Sequence, residues 1–302
     1  MQNNFTIAGL GEVLWDIDGN HRSPGGAPAN FSCLCRGLGA NALIMSCVGN
    51  DPLGMECQEI LTANGLDLSC LSVSEQYPTG TVNITLDPAG HPSYAIKEDV
   101  AWDHIPFTPE MEQIAPSLDA VCFGTLSQRN ADSRNTITRI LDSTRADCLR
   151  LFDINLRLDY YSPEIIKNSL AHATALKVND EELPLLSEMF QLQGDEEDQL
   201  KALTDQFDLK LAILTCGSKG AWMVTPDSSN FTPSTKLSSI ASTVGAGDAF
   251  TATAVMGFLR QHELPTINQH ANAVASYICT QPSAVADLPS HLITYSNQPT
   301  TL

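Results

Sequence analysis

An α/β protein built on a mainly parallel sheet flanked by helices is what the sequence predicts, on three observations. Short apolar or β-branched runs recur along the chain, many followed by turn residues and a helix-period pattern. Strand and helix patterns alternate over most of the 302 residues, as in sheets covered by helices on both faces. With 43% hydrophobic and 17% charged residues, the chain has material for a substantial core.

The strand candidates are, in order, 6–14, 42–48, 120–125, 150–155, 173–178 and 209–215, each a short run of buried-strand composition. Helical periodicity falls near 28–39, 54–64, 133–145, 163–171, 179–190, 196–206, 247–262 and 266–279. The charge run Asp195-Glu196-Glu197-Asp198 reads as a solvated helix start. One region breaks the rhythm. From Gly80 to Trp102 residues alternate with period two around an Asp87-Pro88-Ala89-Gly90 turn, which predicts a β-hairpin outside the α/β layers. Residues 12–24 would add a further strand. Such a small sheet is a lid over a site, a subunit contact, or both, because an isolated hairpin is marginal in water.

Charge narrows the partners. Thirty-five Asp and Glu against 16 Lys and Arg give a net charge of −19, so nucleic acid and anionic membrane surfaces are not expected partners. No stretch approaches the ~18 consecutive apolar residues of a membrane span, and Met1-Gln2-Asn3-Asn4-Phe5 lacks the basic start of a signal peptide. The nine cysteines are odd in number and scattered, with no C-x-x-C pair. They predict neither a disulfide framework nor a zinc site, and read as reduced thiols of a cytoplasmic protein.

Ser242-Thr243-Val244-Gly245-Ala246-Gly247-Asp248 is a small-residue turn feeding an apolar helix. Unpaired N–H groups and the dipole at a helix N-terminus favour an anion, so the turn is a phosphate seat. Asp248 at its mouth would take a proton from an attacking hydroxyl. The same residues also suit a plain βα turn with an acidic first helical turn. Gly25-Gly26-Ala27-Pro28-Ala29-Asn30 is a second such turn; Gly26 lets a ligand approach the backbone, and Asn30 either binds it or caps the helix. Asp16 with Gly26 and Asn30 supplies the directional hydrogen bonds a polyol requires. Asp153-Ile154-Asn155-Leu156-Arg157 puts polar side chains on one face of a strand end. There is no G-x-x-x-x-G-K-[ST] loop, and Leu14 replaces the third glycine of a dinucleotide fingerprint after Gly9 and Gly11.

Taken in this order, the two glycine turns resemble the N- and C-terminal signatures of the ribokinase-like (PfkB) family of carbohydrate kinases. Gly11-Glu12 with Asp16, Gly49–Gly54, Asn179 with Glu182, and Thr215 with Gly217 and Gly220 extend the resemblance over essentially the whole chain. Pro78–Val82, Pro92-Ser93-Tyr94 and Val100–Asp103 most resemble bacterial fructokinases. The resemblance implies one kinase domain over 1–302, Rossmann-like, with a β-sheet lid from about 12–24 and 80–102. It implies transfer of the ATP γ-phosphoryl group to a sugar hydroxyl, with fructose giving fructose 6-phosphate. Asp248 would be the base, and the amides of Gly245, Ala246 and Gly247 the anion hole. Asp16, Gly26, Asn30 and Arg157 would hold the sugar. Asn179 and Glu182 would organise Mg²⁺ and its waters, Glu182 through water, while Thr215, Gly217, Gly220 and Asn272 would line the nucleotide site. Ser242 stands where the family usually carries an Asp that helps bind a monovalent cation, so potassium activation is not expected. Ser283-Ala284 replaces a later Gly-Ala pair.

Rival readings are a kinase for ribose, 2-keto-3-deoxygluconate, a nucleoside or a sugar phosphate, and a non-catalytic sugar-binding regulator. A sugar phosphate would want additional basic residues, and the hairpin offers only Lys97. Val82, Ile84, Tyr94 and Ile96 on the hairpin predict a homodimer edge.

Overall fold

The computed structural model describes residues 5–19, 21–86 and 92–294. β1 (Thr6–Leu10) is buried over its last four residues, after which the chain leaves the main body for β2 (Leu14–Asp18) and β3 (His21–Gly25). It returns through α1 (Ala27–Gly37), β4 (Asn41–Gly49), α2 (Pro52–Ala63) and β5 (Leu71–Ser74). β6 (Gly80–Leu86) and β7 (Pro92–Ile96) make a second excursion. The main body then continues with α3 (Pro109–Ile114), β8 (Ala120–Phe123), α4 (Ala131–Ser143), β9 (Leu149–Asp153), α5 (Pro163–His172) and β10 (Ala175–Asn179). α6 (Leu183–Phe190), α7 (Glu196–Phe207), β11 (Leu211–Thr215), β12 (Gly220–Val224) and β13 (Ser229–Pro233) follow. α8 (Ala246–Leu259), α9 (Leu264–Cys279) and α10 (Ser290–Ile293) close the described chain.

Helix starts are written locally. Asp51, Thr108, Asn130, Ser162 and Asp195 each accept a hydrogen bond from a first-turn N–H of α2, α3, α4, α5 and α7, and Pro stands in the first turn of α2, α3 and α5. The acidic run is the start of α7, with Asp195 as its cap.

The nine-stranded sheet has the order β13-β12-β11-β10-β9-β8-β1-β4-β5. Every pairing from β5 to β11 is parallel, whereas β11–β12 and β12–β13 are antiparallel. β5, β12 and β13 lie outside the runs that predict strands. β5 is a four-residue edge strand, and β12 is joined to β11 by a short turn rather than a helix, so neither carries the strand-then-helix rhythm. The core has two parts. One is centred on Trp102, Phe123 and Phe152, and the other on α1, α8 and α9 with Phe31, Phe250 and Ile267. All residues of α8 from Ala249 to Gly257 are buried; its small side chains let α1 and α9 approach closely. All nine cysteines are free, and eight are buried.

The second sheet has the order β3-β2-β6-β7, with β2 parallel to β6 and the other pairs antiparallel. Where 12–24 was expected to add one strand, the chain from 14 to 25 adds two, β2 and β3, while the Asp87–Gly90 turn lies outside the described residues. The chain leaves this sheet after Ile96, and Ala101–His104 forms a 3-10 turn that buries Trp102 in the main core. Of the four apolar residues expected on a dimer edge, Val82 and Ile96, paired with each other, are buried, and Tyr94, paired with Ile84 one step further along the same face, is 49% exposed.

A buried ion pair fastens that return. Arg129 Nε and Nη2 donate to the two Asp103 carboxylate oxygens at 2.7 and 2.8 Å, and Nη2 also reaches the Lys97 carbonyl at 2.6 Å. The guanidinium lies over Trp102 and Tyr160, at 4.1 and 4.6 Å from the ring centres. Removing one charge of such a pair strands the other in a poor dielectric. Asp103→Asn is therefore expected to lower unfolding stability by about 3 kcal/mol or more, read as a reduced urea midpoint at unchanged slope.

Candidate active site

The carboxyl ends of β1, β8, β9 and β10 open onto one cleft, where β1 separates the strands that follow it in the chain on either side. α1 and α8 start at the same level. Gly26 has φ 105°, and a Cβ there would meet the Glu12 carbonyl at 2.3 Å, so the turn into α1 accepts only glycine. Gly245 opens α8 with φ 82°, and its missing side chain is replaced by Ala284 packed against its α-carbon. Gly245 and Ala284, 39 residues apart in sequence, thus adjoin one another. The Ser242 hydroxyl accepts from the Val244 N–H at 3.1 Å, and its own N–H donates to Cys279.

The two glycine turns meet through one hydrogen bond. Asn30 Nδ2 donates to Asp248 Oδ2 at 2.8 Å across 218 residues of sequence. α1 has no side-chain cap, so Asn30 serves the cleft rather than its own helix. Burial pushes the Asp248 carboxyl above the ordinary carboxylate range, opposed by the Asn30 hydrogen bond and the charges of Lys177 and Arg157. Asp16 sits half-buried on β2; burial raises it too, and Arg157 opposes. Arg157 itself is exposed, donates to the Leu156 carbonyl at 2.9 Å, and its charge acts on Glu12, Asp16 and Asp248.

Of the three amides expected to form the anion hole, those of Gly245, Ala246 and Gly247, that of Ala246 donates to the Thr243 carbonyl at 3.3 Å. On the other side of the cleft, Glu182 is 5% exposed and accepts from the N–H groups of Leu156 and Asn179 at 2.9 and 3.0 Å. Asn179 Oδ1 accepts in turn from Glu181 and Glu182 N–H. The helix expected from 179 begins at Leu183 because Asn179 still pairs with Thr215 in the sheet and its side chain closes a turn. Gly217 and Gly220, both with positive φ, shape the turn after Thr215. Asn272 lies in α9 with its amide nitrogen donating to the Asn268 carbonyl and Oδ1 at 2.9 and 3.0 Å, turned into the packing between α9 and β12.

Among the described residues no group of three or more His, Cys, Asp or Glu could hold a metal ion. At Glu182 each carboxylate oxygen accepts one backbone N–H and keeps a lone pair, which fits a contact to Mg²⁺ through water.

Three further groups come from the structure. Glu12 is 3% exposed and lines the cleft beside Asp248, and its Oε2 has no hydrogen-bond partner among the described residues. Asp153 and Lys177 form a buried pair at 3.0 Å. Burial pushes Asp153 up to about 6, opposed by Lys177, whereas Asp153, Glu182 and Asp248 outweigh burial and hold the Lys177 ammonium above its ordinary value. A lysine inside the apolar run 173–178 was the available signal for that pair; isolated Glu12 had none beyond its place in a resembling motif.

Burial pushes Glu12 from 4.5 up to about 7, against its own and the Ala27 N–H groups. The folded state therefore binds this proton more tightly than the unfolded chain does. The resulting stabilisation is full below the unfolded value and is lost as pH rises through about 7, at ~1.4 kcal/mol per pH unit. Glu12→Gln is expected to remove that decline, gaining up to about 3 kcal/mol on wild type between pH 4.5 and pH 8 in urea unfolding.

The chain is similar to known proteins over nearly its whole length. The uncharacterized sugar kinase PH1459 of Pyrococcus horikoshii is 28% identical over 290 residues, 89% of this chain and 88% of that protein. Its crystal structure in complex with ATP superposes with a TM-score of 0.80 at 27% identity, covering 92% of this chain and 93% of that one. A fructokinase of Vibrio alginolyticus is 28% identical over 89% of both chains. An ATP-dependent 6-phosphofructokinase of Thermoanaerobacterium thermosaccharolyticum is 27% identical over 94% of this chain and 91% of its own. A model of the pfkB family carbohydrate kinases matches residues 6–291, a span that includes the whole cleft, and the chain belongs to that family.

Proposed function

We propose that this kinase phosphorylates D-fructose at its 6-hydroxyl, with Asp248 as general base. The observation that carries the reading is the 2.8 Å bond between Asn30 and Asp248, which sets a sugar-binding amide and a proton acceptor on one cleft between two helix N-termini. Asp16, Gly26 and Asn30 would hold the sugar hydroxyls, and Arg157 would offset the cleft's carboxylates. Phosphoryl transfer asks for positioning and charge stabilisation more than covalent chemistry, which the amides of Gly245 and Gly247 would supply. Mg²⁺ bound with ATP would neutralise phosphate charge, held through water by Glu182 with Asn179 orienting it. Thr215, Gly217 and Gly220 would border the nucleotide. The four-stranded sheet would act as a lid that excludes competing water.

Fructose is favoured over a sugar phosphate by the cleft's charge. Arg22, the one arginine of the small sheet, is tied to Glu56 on α2, which leaves Arg157 facing three carboxylates. The test is ATP consumption with D-fructose, D-ribose, 2-keto-3-deoxygluconate and fructose 6-phosphate, with and without potassium. Fructose turnover should fall about 10²- to 10⁴-fold in Asp248→Asn, and in wild type kcat/KM should decline on the acid side as Asp248 protonates, above the ordinary carboxylate range. Potassium should have no effect, since Ser242 brings no charge. Absence of turnover with every sugar, together with a fructose-induced rise in Tm, would instead make the protein a sugar-binding regulator.

The small sheet ends in β7, whose Tyr94 is 49% exposed, and an unpaired edge of this kind would join a second copy. Sedimentation at micromolar concentration is expected to show a homodimer; a monomer at all concentrations would reject it.

A further inference from the structure

Lys177 has no part in the chemistry above, yet it is a buried cation close to the start of α8. It is 5% exposed and points from the middle of β10 toward the start of α8. A Cβ built on Gly247 would lie 3.6 Å from its Nζ, so the ammonium stands directly behind the turn that presents Asp248. Its side chain is fixed by Asp153 at 3.0 Å, and Asp153 is itself 4% exposed. The charges of Glu182 and Asp248 also act on it.

A lysine placed there only to neutralise Asp153 would be an expensive arrangement, since buried ion pairs often do no better than apolar side chains of the same volume. Charge near the turn has another use. Negative charge gathers on the equatorial oxygens and on the leaving oxygen as the phosphoryl group moves, and a preorganised cation in a water-poor site stabilises it without reorganising. We infer that Lys177 is a positioning residue for phosphoryl transfer: locked by Asp153 behind Gly247, its fixed positive charge aligns the Gly245–Asp248 turn and favours the transition state over bound ATP. The inference rests on the family's phosphoryl transfer and is independent of which sugar is the acceptor.

The test compares Lys177→Met, Lys177→Arg and the double variant Lys177→Met with Asp153→Asn, using the best sugar found for wild type. Lys177→Met is expected to lose about 10²-fold in kcat with the KM for ATP changed less than about threefold, and Lys177→Arg should recover part of the loss. Binding gives a second readout that needs no turnover. Lys177→Met should bind ADP as wild type does, but lose affinity for ADP with aluminium fluoride, a mimic of the transferring phosphoryl group, by a factor matching the kcat loss. The double variant removes both charges, so it folds even if Lys177→Met leaves Asp153 stranded and unstable. Persistent loss of kcat and of aluminium fluoride binding in the double variant supports the inference. Recovery of both to wild-type levels would show that Lys177 serves only as a counter-ion to Asp153, and would overturn it.

Discussion

Four carboxylates, those of Glu12, Asp153, Glu182 and Asp248, converge at one end of the main sheet, and the surrounding structure answers the cost of keeping them there. In a poor dielectric like charges disfavour one another's ionised forms and each carboxylate resists ionisation. The fold meets this with a different device at each. Glu182 is supplied with two backbone N–H groups. Asp153 is paired with an ammonium. Asp248 receives an amide hydrogen bond and begins a helix, where the dipole favours its charge. Glu12 is left with an unpartnered oxygen and drifts to about 7. Burial thus raises Asp248 while the Asn30 hydrogen bond and nearby positive charge hold it back, a balance that suits a group that must both lose and accept a proton.

These devices depend on elements far apart in the chain. Asn30 comes from α1, Asp248 from α8, Asp153 and Lys177 from adjacent strands, and Glu182 from the turn after β10. The nine-stranded sheet brings them together because its parallel strands β5, β4, β1, β8, β9, β10 and β11 all end on the same side, so the turns that follow share one rim. The antiparallel pair β12–β13 lies outside that rim and contributes packing instead: Asn268 of α9 donates to backbone carbonyls of both strands.

How much of this was readable beforehand follows from the physical origin of each signal. The glycine turns were legible because a backbone that must pass within 2.3 Å of a would-be side chain tolerates no other residue, and that leaves a local mark. The parallel strands other than β5 were legible from their apolar runs, and the small sheet from its change of period. Pairing at a distance left no such mark. Nothing near Asn30 names Asp248 as its partner, and nothing near Gly245 announces that Ala284 packs beside it. Strand β10 is covered on both faces, so alternation could not say which way Lys177 points. Val82 and Ile96 share a face with exposed Tyr94: period two identifies the faces of a hairpin but not how far along its length the body covers one of them.

The free thiols described with the fold have a consequence of their own. Eight of the nine are buried, on both faces of the sheet, and burial pushes Cys33 and Cys57 up to about 12. A thiol so protonated and enclosed is inert to alkylating reagents while its surroundings hold. Labelling at each position therefore times the opening of its own part of the core, Cys33 and Cys57 beside α1 and α2, Cys148 at the foot of β9. The native sequence carries its own set of reporters for local unfolding, with no probe to be introduced.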